Sequence, residues 1–151
     1  MIRVSKSNPA PAPLLRAGNT EHNHQEVQQQ LIADQNGKCY LCERICITDY
    51  QIEHLKSEHH HPELECNWTN LFLSCSYCNG KKLDNYDDIL DPSINDVESM
   101  IACDHNISKK KIVFHPVAGV TPAINQTIQL LERVFNGKSS MRVVKEERFY
   151  E

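Results

Sequence analysis

The chain has 151 residues, the length of one ordinary domain, and its hydrophobic content of 40% lies well above that of a disordered chain. Its formal net charge of −4 at pH 7 excludes a surface that binds nucleic acid indiscriminately, so any such contact has to be local. These values predict one modest domain with loose ends and a small apolar core.

Residues 1–18 form the first predicted element, an extended arm that Pro9, Pro11 and Pro13 interrupt. Proline removes a backbone donor and turns the residue before it away from helix. Neither the arm nor any later stretch has an apolar run long enough for a signal peptide or a membrane span. We therefore expect a cytoplasmic protein without membrane contact.

A helix is predicted over residues 20–36. Thr20 can cap its start, and Asn36 with Gly37 offers a left-handed stop. The helix should lead directly into the first of two Cys-x-x-Cys pairs.

The two pairs are Cys39 with Cys42 and Cys75 with Cys78. Each pair places two thiolates within reach of one ion, and a tetrahedral set of four thiolates leaves no vacant position for a reactant. The sequence therefore predicts a structural Zn²⁺ site, whose binding supplies on the order of 10 kcal/mol of folding free energy. Disulfides and redox-active pairs are the alternatives, but the chain shows no secretion signal and no βαβ pattern around either pair.

Three elements are predicted between and after the cysteine pairs. Residues 44–54 alternate partly between apolar and polar side chains, which indicates a short β-hairpin. Residues 68–73 form a compact apolar element, and a helix is expected to open near Asn79, over residues 79–86.

The C-terminal third contains two further elements. Residues 109–114 suggest an edge strand that lysines protect, and residues 123–135 predict an amphipathic helix that stops at Asn136 and Gly137. The predicted buried face of this helix consists of Ile124, Ile128, Leu131 and Phe135. The charged tail beyond it is expected to be mobile.

Polar residues stand in a fixed order around the cysteine pairs: Glu53, His54, Asn70, Asn79, Lys81 and Lys82. Together with the pairs, this order resembles the HNH (ββα-metal) endonuclease family, and the match covers residues 39–82, about a third of the chain. The amino-acid sequence of these segments looks most similar to the PtuB-like HNH nucleases of Septu and retron anti-phage defence systems.

The resemblance implies a role for each of these residues. His54 would be the general base, since an imidazole titrates near neutrality. Glu53 and Asn79 would offer oxygen ligands to a catalytic Mg²⁺ or Mn²⁺. Asn70 would hold the loop that carries His54. Lys81 and Lys82 would bind the substrate phosphate beside a helix N-terminus, with solvated surface charge as the alternative for both.

The sequence departs from the family pattern at two positions. The family more often has aspartate before the histidine, and often histidine at the last position, whereas this chain has Glu53 and Asn79. Neighbouring residues of a regular strand also point to opposite faces, so Glu53 and His54 share one cleft only if the strand ends or bulges there. We expect a bulge at or just before residue 53.

The sequence is compatible with two functions from different classes. The first is an endonuclease that cuts DNA, or RNA including tRNA, in a hetero-oligomeric complex with a PtuA-like ATPase, whose contacts would involve residues 109–114 and 123–135. The second is a non-catalytic zinc module that binds nucleic acid or protein through Tyr40, Trp68 and Tyr77. Glu53, His54 and Asn79 favour the enzyme, because a binding module does not need them.

The predicted fold is α+β and mostly helical, a small zinc-braced ββα-metal core with flanking helices. We divide the chain into an arm over residues 1–18, a nuclease domain over 19–116 with its motif at 39–82, and a helix and tail over 117–151.

Overall fold

The computed structural model describes residues 1–137 and has a mixed α/β architecture. Its helices and strands are α1 (Gln25–Asp34), β1 (Tyr50–His54), β2 (Leu71–Cys75), α2 (Ser76–Lys82), α3 (Val97–Met100), β3 (Ile101–Asn106), β4 (Lys111–Pro116) and α4 (Pro122–Asn136). Short 3-10 helices lie at Ala12–Leu15, Pro62–Leu64 and Trp68–Asn70. The prediction of a mostly helical chain is wrong, because α2 and α3 have only seven and four residues and the strands form two separate sheets.

Strands β1 and β2 form an antiparallel pair at the centre of the fold. The register runs from Tyr50 opposite Cys75 to His54 opposite Leu71 without interruption. The predicted hairpin within residues 44–54 is therefore wrong, since β1 pairs with a strand that lies much later in the chain. The predicted bulge is wrong as well, because β1 simply ends at His54.

Strand β2 is buried along its whole length, which explains its unbroken apolar start. It passes directly into α2, with Cys75 at the N-cap. The helix thus begins at Ser76 and not near Asn79 as predicted, so its free N–H groups lie beside the second cysteine pair. The N-terminus of α2 therefore lies beside the start of β1, and Lys82 at the C-terminus of α2 reaches the end of β1, where its Nζ donates to the His54 carbonyl.

Helix α1 begins after His24, so Thr20 does not cap it. Asn36 and Gly37 follow its end with φ of 53° and 68°, which confirms the predicted left-handed stop. The buried Gln35 side chain links this end to β2, because its Nε2 donates to the Leu73 carbonyl at 2.9 Å and its Oε1 accepts from the Leu73 N–H at 2.8 Å.

The N-terminal residues pack against the core and are not a loose arm. Val4 is buried, and its N–H donates to the Pro92 carbonyl at 3.0 Å. Lys6 Nζ donates to the Trp68 backbone carbonyl at 2.9 Å and lies 4.2 Å from the centroid of the Trp68 ring. The prolines shape this segment without separating it from the domain.

Strands β3 and β4 form a second antiparallel pair, and α4 packs against β4. The strand predicted over residues 109–114 is confirmed as β4, with later bounds. The amphipathic helix predicted over residues 123–135 is confirmed as α4. Thr121 Oγ1 caps α4 by accepting the Ile124 N–H at 3.2 Å. The buried face of α4 consists of Ile124, Thr127, Leu130, Leu131 and Val134, while the predicted Ile128 and Phe135 are partly buried.

The tail that we expected to be mobile, residues 138–151, lies outside the described residues. Within residues 1–137, no helix is long and apolar enough to cross a membrane.

Candidate functional site

The four paired cysteines converge on one point. Their Sγ atoms all lie within 4.8 Å of one another, and Cys39, Cys75 and Cys78 are buried. Cys39 and Cys42 come from the loop after α1, whereas Cys75 and Cys78 come from the junction of β2 and α2. Four soft thiolates that surround one closed position are the donor set of a structural zinc site, so the residues fit the predicted ion.

The proximity of the four thiols also shifts their pKa values. A hydrogen bond from Cys42 lowers the pKa of the Cys39 thiol to about 6, and hydrogen bonds from Cys39 and Cys42 lower the pKa of Cys75, whereas hydrogen bonds with Cys39 raise the pKa of Cys42 and of Cys78. Thiolate is the form of cysteine that binds metal. A cation bound to all four thiolates would link the loop after α1 to α2.

The other predicted residues surround the C-terminal end of β1. Glu53, His54 and Asn79 all line one cleft of about 290 Å³, although no bulge is present. Because β1 ends at His54, the chain leaves the sheet immediately after the two neighbouring residues. The strand end alone therefore brings both side chains to the cleft.

His54 is held by a backbone carbonyl. Its Nε2 lies 2.9 Å from the Glu65 carbonyl oxygen, which can only accept a hydrogen bond, so the neutral ring carries its proton on Nε2. Nδ1 is then unprotonated and lies 3.9 Å from Glu58 Oε2. Burial lowers the pKa of His54, which keeps the imidazole neutral and available as a base.

Glu53 is paired with Lys82 in the interior. Lys82 Nζ lies 3.0 Å from Glu53 Oε1 and donates to the His54 carbonyl at 2.7 Å. Burial raises the pKa of Glu53 to about 7, although Lys82 acts in the opposite direction. Lys82 itself is 0% exposed, so it is not placed to bind a phosphate from solvent as the sequence suggested.

Asn70 lies beneath the cleft and holds the loop that follows His54. Its Oδ1 accepts the Lys56 N–H at 2.8 Å, and its Nδ2 donates to the carbonyls of Lys56 and Leu64 at 3.0 and 3.2 Å. The side chain is buried and makes these contacts with both ends of the segment between β1 and the Pro62–Leu64 turn. Asn70 thus fixes the path of the chain just beyond the imidazole.

Asn79 and Lys81 lie on α2, which borders the cleft. Asn79 Nδ2 donates to Gln51 Oε1, and Asn79 offers its Oδ1 as a hard oxygen of the kind that Mg²⁺ prefers. Lys81 lies outside the cleft, and its Nζ is 5.3 Å from the centroid of the Tyr77 ring. Of the two predicted substrate lysines, Lys81 is therefore the one on an accessible face.

The aromatic surface of the alternative zinc module is not available. Tyr40 is 0% exposed and Trp68 is 7% exposed, so neither ring can stack on a base. Tyr77 is partly buried, and its hydroxyl donates to the Val134 carbonyl at 3.0 Å.

Sequence reasoning missed two residues of the cleft. His22 falls within the predicted helix of residues 20–36 and was given no role, yet it precedes α1 and its ring contacts His54 with centroids 4.6 Å apart. Glu58 lies four residues after His54 in the non-helical segment that follows β1, so no regular spacing could have found it. For His22 no local signal exists, because packing of the N-terminal segment brings it to the cleft.

No protein-family model matches the chain. Among curated proteins, it is similar to the Septu protein PtuB of Bacillus thuringiensis, with 35% identity over 86 residues. The aligned region covers 54% of this chain and 32% of the relative, so the chain spans about a third of the length of the curated relative it matches. The similarity supports a Septu-like relationship.

Proposed function

We propose that this chain, which is similar to a Septu protein, is a metal-dependent nuclease of the HNH (ββα-metal) class. The single observation that carries the proposal is the position of Glu53, His54 and Asn79 around one cleft, with His54 Nε2 against the Glu65 carbonyl. A base and two hard oxygen ligands are what metal-assisted hydrolysis of a phosphodiester requires.

In this mechanism His54 Nδ1 takes a proton from a water molecule. The water oxygen forms a bond to phosphorus while the bond from phosphorus to the leaving oxygen breaks. Glu53 and Asn79 would hold Mg²⁺ or Mn²⁺, which stabilises the charge of the transition state and of the leaving oxygen. The Glu65 carbonyl keeps the imidazole proton on Nε2, and Asn70 holds the loop after His54.

Lys81 lies outside the cleft, so in this scheme its charge would meet the substrate only beyond the cleft, and Lys82 has a supporting role instead of binding phosphate. Its two contacts to Glu53 and to the His54 carbonyl make it a positioning residue for the pair. The substrate is nucleic acid, with DNA as the first candidate and RNA, including tRNA, as the second.

We further propose that the chain acts in anti-phage defence together with a PtuA-like ATPase in a hetero-oligomeric complex. The similarity to a Septu protein supports this role. The β3–β4 sheet is the first candidate for the partner contact, since Val113, Val117 and Val120 on and after β4 are exposed. The apolar face of α4 is less suited, because it is buried in the core.

The test is cleavage of plasmid DNA and of total RNA with Mg²⁺ or Mn²⁺, with and without a PtuA-like ATPase. Wild type is compared with His54→Ala and with the control His61→Ala, whose side chain lies on the same loop, at matched zinc content. We expect His54→Ala to cut at least about a hundredfold more slowly, the usual contribution of a general base. Equal cutting by His54→Ala, or no cutting by wild type under any condition, contradicts the proposal.

A further inference from the structure

A second group of metal-ligating side chains lies in the cleft beside the proposed catalytic residues. His22, His54 and Glu58 each offer one ligand atom, and these atoms lie within 4.8 Å of one another. The two imidazole rings meet edge to face at an angle of 81°. All three residues line the same cleft.

His22 carries a polar atom that the described part of the chain leaves without a hydrogen bond. Its Nδ1 is buried, and Glu65 Oε1 lies 3.6 Å away, beyond hydrogen-bond distance. A buried polar atom without a partner is costly, and native proteins usually complete it with a water molecule or an ion. An unsatisfied nitrogen therefore lies on the imidazole ring that contacts His54.

His54 already has the outer contact that is typical of a metal-bound histidine. Such residues almost always donate their other ring N–H to a carbonyl or a carboxylate, which fixes the tautomer and the orientation of the ring. In His54 the Glu65 carbonyl accepts from Nε2, and Nδ1 faces the carboxylate of Glu58.

We propose that His22, His54 and Glu58 bind a divalent transition ion, with Zn²⁺ as the first candidate, at a site separate from the four cysteines. Two imidazoles and one carboxylate form a three-ligand zinc set with an open fourth position. Bonds of about 2.0 to 2.1 Å place tetrahedral ligand atoms about 3.4 Å apart. The spacing of 4.8 Å or less can close to that value because the Glu58 side chain is 59% exposed and can rotate.

An ion at this site has a functional consequence that rests on the proposed nuclease. It would occupy the lone pair of His54 Nδ1, the same pair that accepts the proton of the attacking water. Zn²⁺ at the site therefore inhibits cleavage, whereas Mg²⁺ prefers the oxygens of Glu53 and Asn79. The two ions act at neighbouring positions with opposite effects.

The test measures zinc stoichiometry and affinity of the full chain by competition with a chromophoric chelator. Wild type should bind one equivalent at the four cysteines and a second, weaker one. His22→Gln and Glu58→Gln should each weaken the second equivalent by at least about tenfold, the loss that follows even from removal of an outer contact. His24→Gln is the matched control, since His24 lies in the same segment, its ring is 3.4 Å from Asn19 Oδ1, and it does not line the cleft. A second control, His59→Gln, disrupts the exposed group of His59, His60 and Asp84.

Retention of the first equivalent shows that a variant is folded, and the exposed Glu58→Gln serves if His22→Gln does not fold. Binding of a single equivalent by wild type, or a second equivalent that survives both ligand substitutions, overturns the proposal. Co²⁺ gives an independent reading, because a site without thiolates adds no sulfur-to-metal charge-transfer absorption. Binding needs no cleavage, so a His22-dependent second ion in a chain that never cuts supports the site and removes only the nuclease. If the chain cuts, the ratio of rates with and without Zn²⁺ should approach one in His22→Gln.

Discussion

Lys82 Nζ lies 3.0 Å from Glu53 Oε1, and the two side chains are only 0% and 7% exposed. The same nitrogen donates to the His54 carbonyl, so one cation contacts both neighbouring residues at the end of β1. A charge in the interior is stable only when it is paired and hydrogen-bonded. This pair therefore links the stability of the domain to the geometry of its cleft.

Lys82→Met should be strongly destabilising, because it leaves the Glu53 carboxylate buried without its cation. Breaking one side of a buried pair costs about 3 to 5 kcal/mol. The double variant Glu53→Gln with Lys82→Met should recover a large part of that loss, since no buried charge remains. Urea unfolding of the zinc-loaded chain measures both values. Lys81→Met on the same helix is the control and should change stability by less than about 1 kcal/mol; an equal loss there would contradict the assignment.

The raised pKa of Glu53 predicts how its contribution to stability depends on pH. The pKa is about 7 in the folded chain against an ordinary value of 4.5, so the folded state binds the extra proton between these values. The contribution of Glu53 is thus fully present below about pH 4.5 and is lost as the pH rises through about 7. At saturating zinc, wild type should lose about 3 kcal/mol relative to Glu53→Gln over this range. A constant difference between the two proteins would show that the Glu53 pKa is not raised.

The cysteine pairs and the C-terminal stop of α1 are features that the sequence could predict. A Cys-x-x-Cys pair brings its two sulfurs together by local geometry, and the left-handed stop at Asn36 and Gly37 depends on residues that are adjacent in the chain. The roles of Lys82 and His22 depend on distant contacts. A lysine is usually solvated, and only the packing of α2 against β1 gives Lys82, the last residue of α2, its two internal partners.

The prediction of the strand pairing was wrong for a related reason. An alternating segment shows that a strand is present but does not say which strand it pairs with, so residues 44–54 suggested a local hairpin while β1 in fact pairs with β2. The bulge followed from the assumption that β1 continues past Glu53 and His54. Because the strand ends at His54, ordinary antiparallel geometry is sufficient there.

Asn70→Ala should destabilise the loop that follows His54. The substitution removes the partner of the Lys56 N–H and of two carbonyls, and buried unsatisfied groups cost about 1 to 3 kcal/mol. We expect a loss of about 2 to 3 kcal/mol in the free energy of unfolding, together with a shift of the His54 imidazole resonances in NMR spectra. Asn67→Ala is the control, because Asn67 caps the adjacent turn on the surface. Unchanged His54 resonances in folded Asn70→Ala would contradict the positioning role.

Removal of zinc should unfold the core around β2. The four cysteines connect the loop after α1 to the β2–α2 junction, so Cys75→Ser should lose the structural ion and, with it, a large share of the folding free energy, which is on the order of 10 kcal/mol for such sites. Circular dichroism and zinc content, measured during titration with a chelator, should fall together in wild type and start low in Cys75→Ser. Cys103→Ser is the control, since Cys103 is exposed on β3 and outside the cluster. A Cys75→Ser chain that keeps both its zinc and its melting temperature would show that the cluster does not hold the ion, and the structural role assigned to it would then have to be abandoned.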